Sequence, residues 1–263
     1  MIFKLLSKGL IAFSLLCGFY ANSQNFKKID YSITEIPKAN VAFLGAPQIQ
    51  ATDAKFYEID IDALRNQLIG IRHREHENSG FVAQLSFPHP DGSMHEYNAK
   101  ENSTMHPDLS AAYPDIKTYD GHGVANGAFV KWDITQHGLH AMIMIPGEST
   151  IFIDPVIKGN TDYYIVYSKK NFFTDKLKDC SFNSDNEEII NKSAATSGTV
   201  KSFGTCQLRT YRLALSATGE YSTFHGGTVA LAMAAQVTTM NRVNGVYEKD
   251  IAITMVIIGN NNL

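Results

Sequence analysis

Between residues 30 and 170, apolar and polar positions alternate in short runs separated by turn residues. Phe81-Val-Ala-Gln-Leu-Ser-Phe precedes the turn Pro90-Asp91-Gly92-Ser93. Gly127-Ala-Phe-Val-Lys-Trp-Asp, His140-Ala-Met-Ile-Met-Ile and Ser149-Thr-Ile-Phe-Ile-Asp-Pro follow at intervals of about ten residues, the spacing of antiparallel strands. Two segments break the alternation. Asp60-Ile-Asp-Ala-Leu-Arg-Asn-Gln-Leu predicts a short helix, and Met105-His-Pro-Asp-Leu-Ser-Ala-Ala-Tyr-Pro a second one with Pro107 in its first turn.

The pattern changes after residue 208. From Arg209 to Ala217 the period is two, with Tyr211, Leu213, Leu215 and Ala217 on one face, which predicts a strand. Beyond the turn signals Gly219 and His225-Gly226-Gly227, Thr228 is a helix N-cap. The apolar stripe Val229, Met233, Val237, Met240 and Val243 follows it, and Gly245 stands in the usual C-cap place. Ile251-Ala-Ile-Thr-Met-Val-Ile-Ile is apolar or small on both faces, as in a strand covered on both sides. Strand, helix and strand of this length predict a parallel pair joined by a right-handed crossover. One such unit cannot cover both faces of its own sheet, so more chain is expected after Leu263.

The front end speaks to compartment. Lys4 and Lys8 precede an apolar run over residues 10–20 and the small residues Ala21 and Ser23, the layout of a secretory signal peptide cleaved near Ser23 or Gln24. The run is about half the length of a membrane span. A lipoprotein reading of Cys17 is disfavoured by the bulky Leu15 and Leu16 before it. A hydrophobic share of 44% is ordinary for a globular chain, and a formal net charge of -3 gives no general pull toward nucleic acid or anionic membranes.

Several motifs resemble a known family. Leu208-Arg-Thr-Tyr-Arg-Leu-Ala-Leu-Ser-Ala-Thr-Gly-Glu-Tyr, Phe224-His-Gly-Gly and Thr238-Thr-Met-Asn-Arg-Val-Asn-Gly-Val-Tyr-Glu-Lys-Asp look like the start of the catalytic domain of secreted reprolysin-like zinc metallopeptidases of the metzincin clan. Ser86-Phe-Pro-His-Pro-Asp-Gly-Ser, Asp108-Leu-Ser-Ala-Ala-Tyr-Pro-Asp-Ile-Lys-Thr-Tyr-Asp-Gly, Gly138-Leu-His-Ala-Met-Ile and Phe152-Ile-Asp-Pro resemble the propeptide ahead of such domains. The resemblance implies a zymogen whose propeptide assists folding and covers the active site. It also implies a zinc held by H-E-x-x-H-x-x-G-x-x-H on a later helix. The chain contains no such motif, so zinc is expected in the full-length parent only, and no catalytic or metal-binding residue is assigned here. Where animal members of the family place a calcium-binding Glu in the first strand, this sequence has Leu213.

Removal of the signal leaves Cys180 and Cys206. In an exported chain a disulfide is the default reading, and a loop of about 25 residues contributes roughly 3 to 4 kcal/mol in the chain-entropy model. Alternatively Cys180 is a cysteine switch, a propeptide thiolate on the zinc of the parent, which a disulfide would forbid. Two free thiols are the third alternative. Residues 171–207 carry scattered lysines, an acidic group at residues 185–188 and a small polar run from Lys192, the composition of an exposed linker; maturation is expected to cut between Asn183 and Lys201.

Other candidate chemistry reads as ordinary polar surface. His73 and His76 share a face only in a helix, and their flanks look like a strand end entering a turn. His137 with His140 is a similar pair, and His225 precedes two glycines at a helix entrance. Glu58, Asp60 and Asp62 read as a solvated acidic face. Asn102-Ser-Thr and Asn191-Lys-Ser fit the glycosylation sequon.

The resulting expectation is a signal peptide over 1–24, a β-rich propeptide domain over 25–170, a linker over 171–207 and an incomplete catalytic start over 208–263. The fold class is α+β, mainly antiparallel β, followed by the first β-α-β unit of an α/β metzincin domain. The function expected is the precursor part of a secreted zinc metalloendopeptidase, inactive by itself, with protein or peptide substrates in the parent and no nucleic-acid or membrane partner after signal removal. The alternative is a stand-alone secreted binding or protease-inhibitory module.

Overall fold

Strict alternation buries one face of a strand and leaves the other to solvent or a second layer, and here it repeats from strand to strand. In the computed structural model, which describes residues 25–76, 79–173 and 207–262, all but one of these strands join into one sheet. They are β1 (Phe26–Lys28), β2 (Ile33–Ile36), β3 (Gln50–Ala51), β4 (Ala54–Ile59), β5 (Val82–Pro88), β6 (Met94–Glu101), β7 (Lys117–Gly123), β8 (Phe129–Thr135), β9 (Gly138–Met144), β10 (Ile151–Pro155) and β11 (Tyr163–Ser168). Ten of them form a curled mixed sheet in the order β1-β5-β6-β7-β8-β9-β10-β11-β4-β2. Every pairing is antiparallel except β1 with β5. β3 pairs separately with β12 (Phe172–Phe173). The β5–β6 hairpin closes on the turn read from the sequence. Asp91 Oδ1 accepts from Ser93 N at 2.9 Å, and Gly92 adopts φ +90°, a conformation that favours glycine.

The inner face is dry. Leu85 and Phe87, Tyr97 and Ala99, Val130, Trp132 and Ile134, Leu139, Ala141 and Ile143, and Tyr164 and Val166 make one continuous core. Trp132 stacks on Tyr119 at 4.0 Å between ring centroids and meets Phe87 edge-on at 5.5 Å. Helix α1 (Ile61–Gln67) packs Ile61 and Leu64 into this core and is N-capped by Asp60, whose side chain accepts from Ala63 N at 2.8 Å. Helix α2 (Pro107–Ala112) follows β6 with Pro107 at its start. At the far end of the sheet a smaller outer cluster of Phe56, Ile165 and Tyr167 packs on Val41 from a 3-10 helix, Lys38–Leu44.

The tail forms β13 (Arg209–Leu213), helix α3 (Gly219–Phe224), helix α4 (Val229–Ile251) and β14 (Ile253–Ile257). β13 and β14 pair in parallel, and Thr228 caps α4 by accepting from Leu231 N at 3.2 Å.

The expected fold class does not hold. The chain is mostly β, one ten-stranded sheet with few helices, and not an α+β propeptide followed by an α/β metzincin unit. Length is one reason: α1 and α2 have 7 and 6 residues, too short to make a helical layer. The other is packing, because the 23-residue α4 lies against β8 and β7 and takes the ten-stranded sheet as its second layer. Two local readings change with it. Gly245 sits inside α4, and the helix ends at Ala252, which holds the left-handed conformation at φ 54°. β14 is only partly covered, with Ile257 its one buried residue. The signal segment, Cys180, Cys206 and the expected cleavage segment 183–201 lie outside the described residues.

Candidate functional site

The outer face of the sheet meets the tail. Along β8 the inward Val130, Trp132 and Ile134 alternate with Lys131, Asp133 and Thr135, which a sequence reading leaves to solvent. Helix α4 covers them instead, and Lys131 and Asp133 are each 1% exposed. An unpaired charge in such a place costs several kcal/mol, so the contact must supply partners.

It does so at two places along the helix. At the C-terminal end Glu248 accepts from Lys131 Nζ at 3.0 Å and from Arg74 at 3.1 Å. Arg74 also reaches Asp120 at 3.1 Å, and Lys131 Nζ lies 3.6 Å from the same carboxylate. Burial alone would push the Glu248 carboxyl up; Lys131 and Arg74 outweigh it and hold the group below its usual range. Over β10, Arg242 pairs with Asp154 and lies over the Phe152 ring at 5.2 Å. Asp154 also accepts from the Tyr167 hydroxyl at 3.1 Å. Burial works against the Arg242 charge, and Asp154 more than compensates, raising its pKa.

N-terminal to Arg242 the links are short and directional. Thr238 donates to Asp133 at 2.7 Å, and Asn241 donates to the Trp132 carbonyl at 2.9 Å. The close approach depends on Gly245: a Cβ there would fall 2.7 Å from Met142 Cε and 2.9 Å from Lys131 Cγ. Asn244 exchanges two hydrogen bonds with the Met255 backbone, at 2.8 and 2.9 Å, and so ties α4 to β14. The same helix buries Met233, Val237 and Met240 against Met105, Leu109 and Ile116. Residues 104–106 then dock on β14 through the backbone, Ile257 N to Thr104 O at 2.9 Å and His106 N to Ile257 O at 2.8 Å.

Three of the histidines come together. His137, His140 and His225 line a cleft of about 200 Å³ with Lys158 and Arg242. His137 Nε2 lies 2.8 Å from the Leu231 carbonyl, His140 Nδ1 is 3.4 Å from Asp133, and the His137 and His225 rings are 5.7 Å apart. Burial first, then His137 and Lys158, push the His225 imidazole down. Among the described residues no group of three or more His, Cys, Asp or Glu is arranged to hold a metal ion. His137 is thus held by a carbonyl on α4, and His140 is turned to Asp133. His73 and His76 sit apart, in a turn beside the end of β6. Of the acidic trio, Asp60 is the α1 cap.

Sequence reasoning assigned no role to Lys131, Asp133, Asp154, Arg74 or Glu248. The available signal was the family-like motif itself, since Thr238, Asn241, Arg242, Gly245 and Glu248 all belong to it and all face the sheet. No protein-family model matches the chain, and no curated protein matches it.

Proposed function

We propose that this chain is the precursor portion of a secreted zinc-dependent metalloendopeptidase, in which residues 25–173 hold the segment that begins at Leu208 in a restrained, inactive arrangement. The zinc and the peptide-cleaving residues belong to the parent and lie outside this sequence; the front sheet acts as the folding partner and mask of its own chain. The observation that carries the reading is the match between motif and contact. The tail residues that look like the family, Thr238, Asn241, Arg242 and Glu248, are the ones bonded to the sheet. The export-type front end is the second support.

The test is the reading frame beyond codon 263 and the product it encodes. An in-frame H-E-x-x-H-x-x-G-x-x-H is expected, with chelator-sensitive cleavage of a denatured protein by the secreted product after its front segment is removed. A frame without that motif, or a product whose cleavage ignores chelator, overturns the proposal. The 263 residues alone, supplied with zinc, are expected to leave the same substrate intact.

The packing of the tail on the front sheet also favours a second reading, a self-sufficient secreted binding or inhibitory module. A stop codon after Leu263, with a stable secreted product that binds a protease, would favour it over the first.

A further inference from the structure

Among the described residues, the outer face of the sheet stays open beyond the C-terminal end of α4. There a cavity of about 800 Å³ lies over β5 to β9, within the roughly 300–1,000 Å³ of small-molecule sites. One wall is apolar, built from Phe26, Val82, Phe129, Met144 and Pro146. The Phe129 ring is held in place, with Lys131 Nζ 5.5 Å from its centroid.

The polar side is unbalanced in charge. Arg74 and Lys131 are matched by Asp120 and Glu248. Lys100, half-buried, and Lys249, exposed, also line the cavity, and neither has an ion-pair partner among the described residues. Two positive charges thus remain on a chain whose formal net charge is -3. Asn98 adds a third polar group: its Oδ1 is buried with no hydrogen-bond partner, and its amide can turn to present the NH2 instead.

We propose that this cavity binds an amphipathic carboxylate, with its apolar chain along Phe26, Val82, Phe129 and Met144 and its carboxylate at Lys100, Lys249 and the Asn98 amide. A neutral apolar ligand leaves the two lysines and the amide unanswered, and a cation is repelled by the lysines. The proposal does not depend on the protease reading.

Dodecanoate is the probe, titrated calorimetrically into the purified full chain below its micellar concentration and at low salt. Saturable one-to-one binding with a Kd on the order of 10–100 μM is expected. The double variant Lys100→Glu/Lys249→Glu should bind about tenfold more weakly, as should wild type with dodecyltrimethylammonium in place of dodecanoate. Phe26→Ser alters only a half-exposed side chain, so it tests the apolar wall without risking the fold; it should weaken binding about threefold to tenfold. Absence of saturation up to about 1 mM, as when the chain's own residues fill the cavity, overturns the proposal. So does equal affinity for the cationic analogue, or a dodecanoate affinity untouched by both variants.

Discussion

The two faces of the ten-stranded sheet are built on opposite principles. Inside, Trp132, Tyr97, Phe87 and their neighbours form a cluster of apolar and aromatic side chains with no charged group among them. Outside, beneath α4, Lys131 and Asp133 are as deeply buried, yet Lys131 donates to Glu248 and Asp133 accepts from Thr238. An apolar core tolerates many repackings, whereas a buried charge accepts few partners. The inner face therefore supplies stability, and the outer face decides which helix lies on it and in which register.

The strongest way to break that contrast is Trp132→Ala, which empties the centre of the core. A loss of about 3–5 kcal/mol is expected, read as a lower urea midpoint of the whole chain. Lys131→Met comes next. It leaves two buried carboxylates sharing Arg74 and should cost about 3 kcal/mol, while Lys131→Met with Glu248→Leu should recover most of the loss in a double-mutant cycle. An equal cost for the single and double variants would show that the stranded Glu248 charge is not the source of the loss.

The rim between the faces has a pH dependence of its own. His89 is buried, bonded to the Tyr97 hydroxyl at 2.8 Å and stacked on His95 at 3.8 Å. Burial, with His95 adding to it, lowers its pKa from 6.5 to about 4. The unfolded chain thus takes up the proton first, so this contribution is full above pH 6.5 and is lost as pH falls toward 4. It amounts to about 2–3 kcal/mol. Urea midpoints at pH 7, 5.5 and 4.5 should fall in that order, and His89→Gln should flatten the decline. The smallest effect is expected from Gly245→Ala. The gain in helix propensity, about 1 kcal/mol, is outweighed by the clash with Lys131 and Met142, for a net loss of about 1 kcal/mol in the same melt.

The sequence makes the inner face legible and hides the outer one. Alternation in residues 81–87, 127–133 and 140–145 is a local signal, and so are the Asp60 and Thr228 caps. That β8 and β9 belong to the same sheet as β4 and β2 depends on long-range pairing that no short window contains. The pairing of Lys131 with Glu248 spans 117 positions, and nothing near either residue announces it. Gly245 misled for the same reason. A glycine late in an apolar helix reads as a terminus, whereas its role here is to let the backbone approach a strand more than a hundred positions earlier. Burial of the polar side of β8 is likewise a property of the helix that covers it.

The docking of residues 104–106 on β14 bears on the order in which the molecule is assembled. Strands β5 to β11 pair with sequential neighbours, so the meander has low contact order and can form while the tail is still being synthesised. In that order of synthesis β14 would meet a backbone edge at Thr104 and His106, and α4 the outward charges of β8. Under the precursor reading proposed above, the front half is the template, and its information passes to the tail through geometry. A tail made without it would have to find its register unaided, with Met233, Val237 and Met240 bare to solvent.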